Sequence, residues 1–301
     1  MEKALGAYKN GNTIVSIMSD GTKIRYTPDG EDAHPEFPES IDLKITNMCD
    51  GNNGKLCEYC HEMSTPTGEH GCLNNPFLLT LEPYTEVAIG GGNPLCHPDL
   101  EAFLVRMKGR KVLCNMTVHW RQFEKNIDLL SNMMNDGLIH GLGVSVNEVI
   151  PCGVVNLFAS FPNLVVHTIA GVASQEVYRQ LMWRDLNLLI LGFKTFGFGA
   201  GYLNNQMREN MTWLESRIKS VIEAFRAVSF DNLAIEQLKL KDKLAPSTWN
   251  HFFMGNEGEF TMYVDLVKEQ FATSSTSYVR HDIMPDIRDM FAYIRKENGY
   301  A

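Results

Sequence analysis

What most limits the folds open to this chain is a rhythm of apolar and amphipathic runs. Six apolar runs, at residues 41–45, 86–90, 111–118, 141–146, 164–169 and 186–193, alternate with helical periods at 98–108, 122–135, 154–160 and 174–182. Strands that are apolar nearly throughout are covered on both faces, as in parallel sheets. Such strands joined by helices mean repeated right-handed β-α units, in either a doubly wound α/β sheet or a barrel. Upstream, residues 12–27 read as a β-hairpin turning at Asp20-Gly21, and 28–39, with Pro28, Pro35 and Pro38, as an irregular connector. Downstream, 205–228 read as a long helix, 232–240 as a further strand, 258–277 as a hairpin and 285–296 as a closing helix. The expected divisions are 1–40, 41–240 and 241–301.

With 44% hydrophobic residues in 301, the chain can bury a large core. No apolar run is long enough to cross a bilayer, and the N-terminus lacks a secretory signal, so a cytoplasmic protein is expected. A formal charge of -9 argues against non-specific nucleic-acid binding, which needs clustered Lys and Arg. The seven cysteines all lie between Cys49 and Cys152; such crowding in a reducing compartment points to metal binding or catalysis rather than disulfides.

Three of these cysteines follow the first core strand closely: Cys49, Cys57 and Cys60, spaced C-x7-C-x2-C with Tyr59 before the last. Three thiolates on one loop can hold three irons of a [4Fe–4S] cluster and leave the fourth open. They can also hold zinc, with Cys72, His61 or His70 as fourth ligand, or act as a Cys57–Cys60 redox pair, but the cluster is the favoured reading. After the second strand comes Gly90-Gly91-Gly92-Asn93-Pro94-Leu95. Glycines at a strand's carboxyl end let backbone approach a ligand, at the end where parallel α/β folds bind theirs. The glycine-rich run 192–201 is expected to lie close to a ligand or another backbone. Cys96 and Cys152 read as small buried hydrophobes.

The cysteine loop resembles that of the radical S-adenosylmethionine (radical SAM) superfamily, which usually spaces its ligands C-x3-C-x2-C with an aromatic before the last. The seven-residue first spacer departs from that pattern. The run CHEMSTPTGEHG is similar to uncharacterised bacterial and phage-encoded members. The resemblance implies a partial (β/α)6 TIM-like barrel over 41–240, with the N-terminal hairpin and an α+β C-terminal segment closing its open side. It implies one [4Fe–4S] cluster on Cys49, Cys57 and Cys60, with Tyr59 beside it. Gly91, Gly92 and Asn93 match a Gly-Gly-Glu-type motif that receives the SAM amino group, with Asn where the acid is usual. Ser145 and Asn147 would meet the ribose or methionine carboxylate, Ala170 within 168–171 the adenine, and Lys194 the carboxylate. Cys114 and Cys72 are candidate hydrogen-atom donors, and His119 and Trp120 candidate pocket residues.

The activity so implied is reductive cleavage of SAM to methionine and a 5′-deoxyadenosyl radical that takes a hydrogen atom from a substrate. Reduced flavodoxin or ferredoxin would donate the electron. A peptide or protein substrate is favoured, because LKITNMC and CEYC look most like the peptide-modifying branch. A nucleotide or small-metabolite substrate is the alternative within the family; outside it stands a zinc-stabilised, non-catalytic barrel.

Overall fold

The computed structural model describes residues 3–28, 31–51 and 54–300. Asp29 and Gly30 of the connector, and Asn52 and Asn53 of the spacer between the first two cysteines, lie outside the described residues. Seven parallel strands form the centre: β4 (Ser40–Thr46), β5 (Glu86–Gly91), β6 (Leu113–His119), β7 (Gly141–Ser145), β8 (Leu164–Ile169), β9 (Asn187–Leu191) and β10 (Ala227–Phe230). They lie in chain order, because each right-handed β-α unit sets the next strand beside the last. On the other side of β4 the sheet continues through β11 (Thr261–Asp265), parallel to β4, then β12 (Gln270–Ala272) and β13 (His281–Asp282), both antiparallel to their neighbours. Among the described residues no strand pairing joins β10 to β13.

Alternation along each strand sorts the residues onto two faces. Ile41, Leu43 and Ile45 of β4, Val87 and Ile89 of β5, and Cys114, Met116 and Val118 of β6 are buried in one apolar core. That core includes Phe103, Leu104 and Met107 of α1 (Leu100–Gly109), and the sheet buries this face against helices. The opposite face carries Asp42, Lys44, Asn115, Thr117, His119 and His167, polar side chains with access to solvent or to one another. A Cβ on Gly143 would run into the His167 ring and Thr117 Oγ1, so three neighbouring strands meet closely there.

Three expectations about elements are corrected. The helix expected over 122–135 is two, α2 (Trp120–Lys125) and α3 (Ile127–Asn135). They break at Asn126, whose Nδ2 donates back to Gln122 O at 2.8 Å, a local bond that competes with the helical ladder. The strand expected over 232–240 begins as a helix, α7 (Asn232–Gln237). Asp231 caps it, its Oδ1 accepting from Ala234 N at 2.7 Å, and the strand β10 lies earlier, overlapping the last two residues of the helix expected over 205–228, which ends as α6 (Asn205–Glu223).

The N-terminal hairpin is a three-stranded meander, β1 (Ala4–Asn10), β2 (Thr13–Met18) and β3 (Lys23–Tyr26), and it does not close the open side. Lys23 pairs with Glu86 (2.7 Å) and Arg25 with Glu39 (2.9 Å), the carboxylates that open β5 and immediately precede β4. Asn163, just before β8, donates to Ser19 O at 2.9 Å. These pairs hold the meander across the amino ends of the strands, the end opposite the cysteine loop. Two helices follow α7, α8 (Leu240–Lys243) and α9 (Pro246–Phe252); the closing helix is α10 (Ile287–Glu297), whose Arg288 reaches Glu82 and Glu36. Among the described residues no helix is long and apolar enough to cross a membrane.

Candidate functional site

The cysteine loop leaves the carboxyl end of β4 and is pinned at both ends. Met48 N donates to Thr46 Oγ1 (2.9 Å), Cys49 N to Thr65 O (2.8 Å) and Thr65 N to Asn47 O (3.1 Å), closing the excursion on its own stem. Cys60 N donates to Cys57 O (3.1 Å), forming the tight turn that carries the second and third thiols. Phe198 N then donates to Cys60 O (3.0 Å), and Gly197, at φ +61°, sits against the His61 carbonyl. The glycine-rich run does approach another backbone, as its composition indicated.

All three cysteines are free of disulfides and half-buried. Burial pushes the Cys57 thiol up to about 11, with charge on Cys60 and Cys49 adding to the shift. Cys49 is raised for the same reasons, burial first, with Asp50 and Cys60 contributing. The three sulfurs therefore feel one another, and as thiolates they need a cation to offset their repulsion. Among the described residues no three His, Cys, Asp or Glu side chains converge as one ion would require. A [4Fe–4S] cluster takes each sulfur at a separate corner, and three thiols on one loop suit it by donor type.

The Tyr59 hydroxyl lies beside Cys57 and Asn147, and its ring meets Tyr202 edge-on at 5.5 Å. Asn147 in turn accepts from Ile169 N through Oδ1 (2.7 Å). One tyrosine thus ties the cysteine turn to the carboxyl ends of β7 and β8.

Gly91 ends β5 beside the stem of this loop, and Gly92 follows it. Gly92 N donates to Thr46 O and Asn93 N to Met48 O, each at 2.8 Å. A Cβ on Gly91 would run into Thr46 O, one on Gly92 into Met48 O, and Gly91 holds φ +110°. Glycine is required at both for the approach itself. The buried Asn93 side chain spends its oxygen on Leu95 N (3.2 Å), capping the turn Pro94–Cys96, and its nitrogen on Asp50 Oδ1 (2.9 Å). Sequence reasoning missed this carboxylate, which also accepts from Gln122 Nε2 at 3.1 Å through each oxygen. Its position next to Cys49 was the available signal.

Of the remaining expected residues, the structure brings some to this end and removes others. Ser145 ends β7 half-exposed, in register with His119 and His167. Ala170 is fully buried and its N–H is taken by Leu191 O (2.8 Å), so it can offer a ligand only its carbonyl. Lys194 is engaged already, its Nζ donating to Ser275 Oγ (2.7 Å), and it lies 3.1 Å from His61 Nε2, a nitrogen that faces Lys194 and Glu62 alike.

Cys114 is corrected outright: alternation places it with Met116 and Val118 on the helix-packed face, 2% exposed, its thiol pushed up to about 12 by burial. It cannot reach a ligand on the opposite face. Cys72 is exposed, one residue past Gly71, whose N–H donates to Ile45 O. Cys152, read as a buried hydrophobe, opens α4 (Cys152–Phe158) exposed. His119 does face the open side, whereas Trp120 is core, with Nε1 donating to Glu148 (2.9 Å).

A buried charge network underlies the loop. Lys44 of β4 pairs with Glu62 (2.6 Å) and with Asp265 of β11 (3.1 Å), and Glu62 meets His61 Nε2 (3.1 Å). Although burial opposes it, the His61 and Lys44 contacts hold the Glu62 carboxyl well below the usual range. The alternation in IDLKI, with charges at Asp42 and Lys44 between core residues, was the sequence trace of this polar face.

No family model matches the chain and no curated protein is a detectable relative. Solved structures do match. Streptococcus suis SuiB aligns at TM-score 0.55 and 10% identity over 92% of this chain and 84% of that one. This chain shares the SuiB fold. SuiB bound to S-adenosylmethionine aligns at 0.54 and 11% identity, covering 82% of this chain and 64% of that one. SuiB bound to its precursor peptide SuiA aligns at 0.52 and 12%, covering 85% and 61%. In those two comparisons the match spans less than two thirds of the SuiB chain.

Proposed function

We propose that this chain is a radical SAM enzyme acting on a peptide or protein. The observation that carries the reading is the meeting of two backbone devices at one end of the sheet. A loop presents Cys49, Cys57 and Cys60, and the Gly91-Gly92 turn is hydrogen-bonded to that loop's stem. Its fold-level likeness to a protein solved with S-adenosylmethionine, and separately with a precursor peptide, supports both halves of the proposal.

Cys49, Cys57 and Cys60 would hold three irons of a [4Fe–4S] cluster, with SAM at the fourth. When bound, the pair supplies reductive cleavage of SAM to methionine and a 5′-deoxyadenosyl radical that abstracts hydrogen from the substrate, the electron coming from reduced flavodoxin or ferredoxin. The chain's own residues bind and orient. Tyr59 lies between the turn of Cys57 and Cys60 and Asn147, and the Gly91-Gly92 turn packs backbone to backbone on the stem of the cysteine loop, setting the two side by side. The Lys44–Glu62–Asp265 network holds the stem of the loop to β11. Ser145, His119 and His167 face the same side and are the residues a substrate would meet.

Anaerobic reconstitution tests the proposal. A brown protein with iron and sulfide near four per chain, yielding 5′-deoxyadenosine with SAM and dithionite, is the expected result. Colourless protein with one zinc overturns it, and a product formed only with a nucleotide would move the substrate class.

A further inference from the structure

We infer that Asp50 supplies the negative charge for the ammonium group of SAM, a task that Asn93 cannot perform. The inference rests on the SAM-binding reading above and names a residue within that site.

The orientation of the Asn93 amide follows from its partners. A carboxylate only accepts and a backbone N–H only donates, so Nδ2 must face Asp50 and Oδ1 must face Leu95 N. Asn93 can then offer an ammonium one remaining lone pair on a neutral oxygen. Asp50 is the opposite case. Its donors are neutral: Asn93 Nδ2 at 2.9 Å, Gln122 Nε2 at 3.1 Å, and the Cys96 thiol at 3.8 Å. Among the described residues no Lys or Arg forms an ion pair with it. It is half-buried, adjoins the first cysteine, and lies one hydrogen bond from the turn that ends β5. A half-buried carboxylate that meets only neutral donors is left to pair with an incoming cation, and charge-assisted bonds are about twice as strong as neutral ones. Acid and amide have exchanged places: the carboxylate comes from position 50, and the amide at 93 aims it.

The test is anaerobic calorimetry on the reconstituted protein with SAM and with 5′-methylthioadenosine, which lacks the amino-acid moiety. Asp50→Asn keeps an oxygen for Asn93 and Gln122 but removes the charge. It is expected to weaken SAM binding roughly tenfold or more while leaving methylthioadenosine affinity unchanged. Asn93→Glu placed in the Asp50→Asn background is expected to restore SAM affinity by returning the charge from the other side. Unchanged SAM affinity in Asp50→Asn overturns the inference. So does an equal loss for both ligands, which marks a structural role for the carboxylate. Wild-type protein that does not bind SAM overturns the parent reading and this one with it.

Discussion

Replacing Lys44 with Met strands two carboxylates. Lys44, Asp265 and Glu62 are only 5%, 7% and 13% exposed, so water does little to screen them. Removing one partner of a buried ion pair costs about 3–5 kcal/mol, because the other charge is left uncompensated. Glu62 keeps its His61 contact at 3.1 Å, which places the expected loss near the lower end, about 3 kcal/mol. For a chain of this length each kcal/mol lowers Tm by roughly 2 °C, so a drop of about 6 °C is expected in calorimetry at pH 7.5. The sign of the pH dependence follows from the same geometry. In wild type Glu62 is held low and contributes stability that is lost as pH falls. Lys44→Met lacks the part of that contribution that comes from Lys44, so the gap between the proteins narrows as pH falls through the carboxylate range. The triple change Lys44→Met, Glu62→Gln, Asp265→Asn should recover more than half of the loss. A drop under 2 °C, or a triple variant no better than the single, would refute the reasoning.

Three further outcomes are expected. Gly92→Ala forces its Cβ into Met48 O and breaks the 2.8 Å bonds that join the turn to the loop. It should cost roughly 2–3 kcal/mol in urea unfolding and weaken SAM binding; wild-type values for both would show the approach is not tight. His167 is lowered to about 4 by burial, so the unfolded chain takes up its proton first as pH falls from 6.5, and folding loses up to about 3 kcal/mol by pH 4. His167→Gln should flatten that acid limb of the stability curve, and an unchanged limb would place the titration elsewhere. In native protein, iodoacetamide should label the exposed Cys72 and Cys152 and spare Cys114, read by peptide mass spectrometry. Labelling of Cys114 at the rate of Cys152 would contradict its placement in the core.

The six strands from residue 41 to 193 were legible because a strand covered on both faces leaves an unbroken apolar run, and all six occur within two or three residues of their expected limits. The cysteine loop was legible through spacing, and the glycine turn through consecutive residues without Cβ. What stayed hidden was long-range. Nothing local in residues 4–10 marks β1, because its pairing partner β2 defines it. The phase of β6 could be chosen only with its neighbours in place, and the wrong phase turned Cys114 toward the open face. Asp50 and Lys44 were visible as charges, but their partners at 93, 122 and 265 lie 43 to 221 residues away. Asn126 and Asp231 acted through side-chain bonds to backbone that override a helical or strand period.

Electron paramagnetic resonance of the reconstituted, dithionite-reduced protein, recorded before and after SAM is added, tests the central claim most directly. On the proposed reading, three sulfurs from Cys49, Cys57 and Cys60 would leave one iron open, so a [4Fe–4S]⁺ signal whose g values shift on adding SAM is expected. A cluster signal indifferent to SAM, or one that survives unchanged when Cys57 is replaced by Ala, would contradict it.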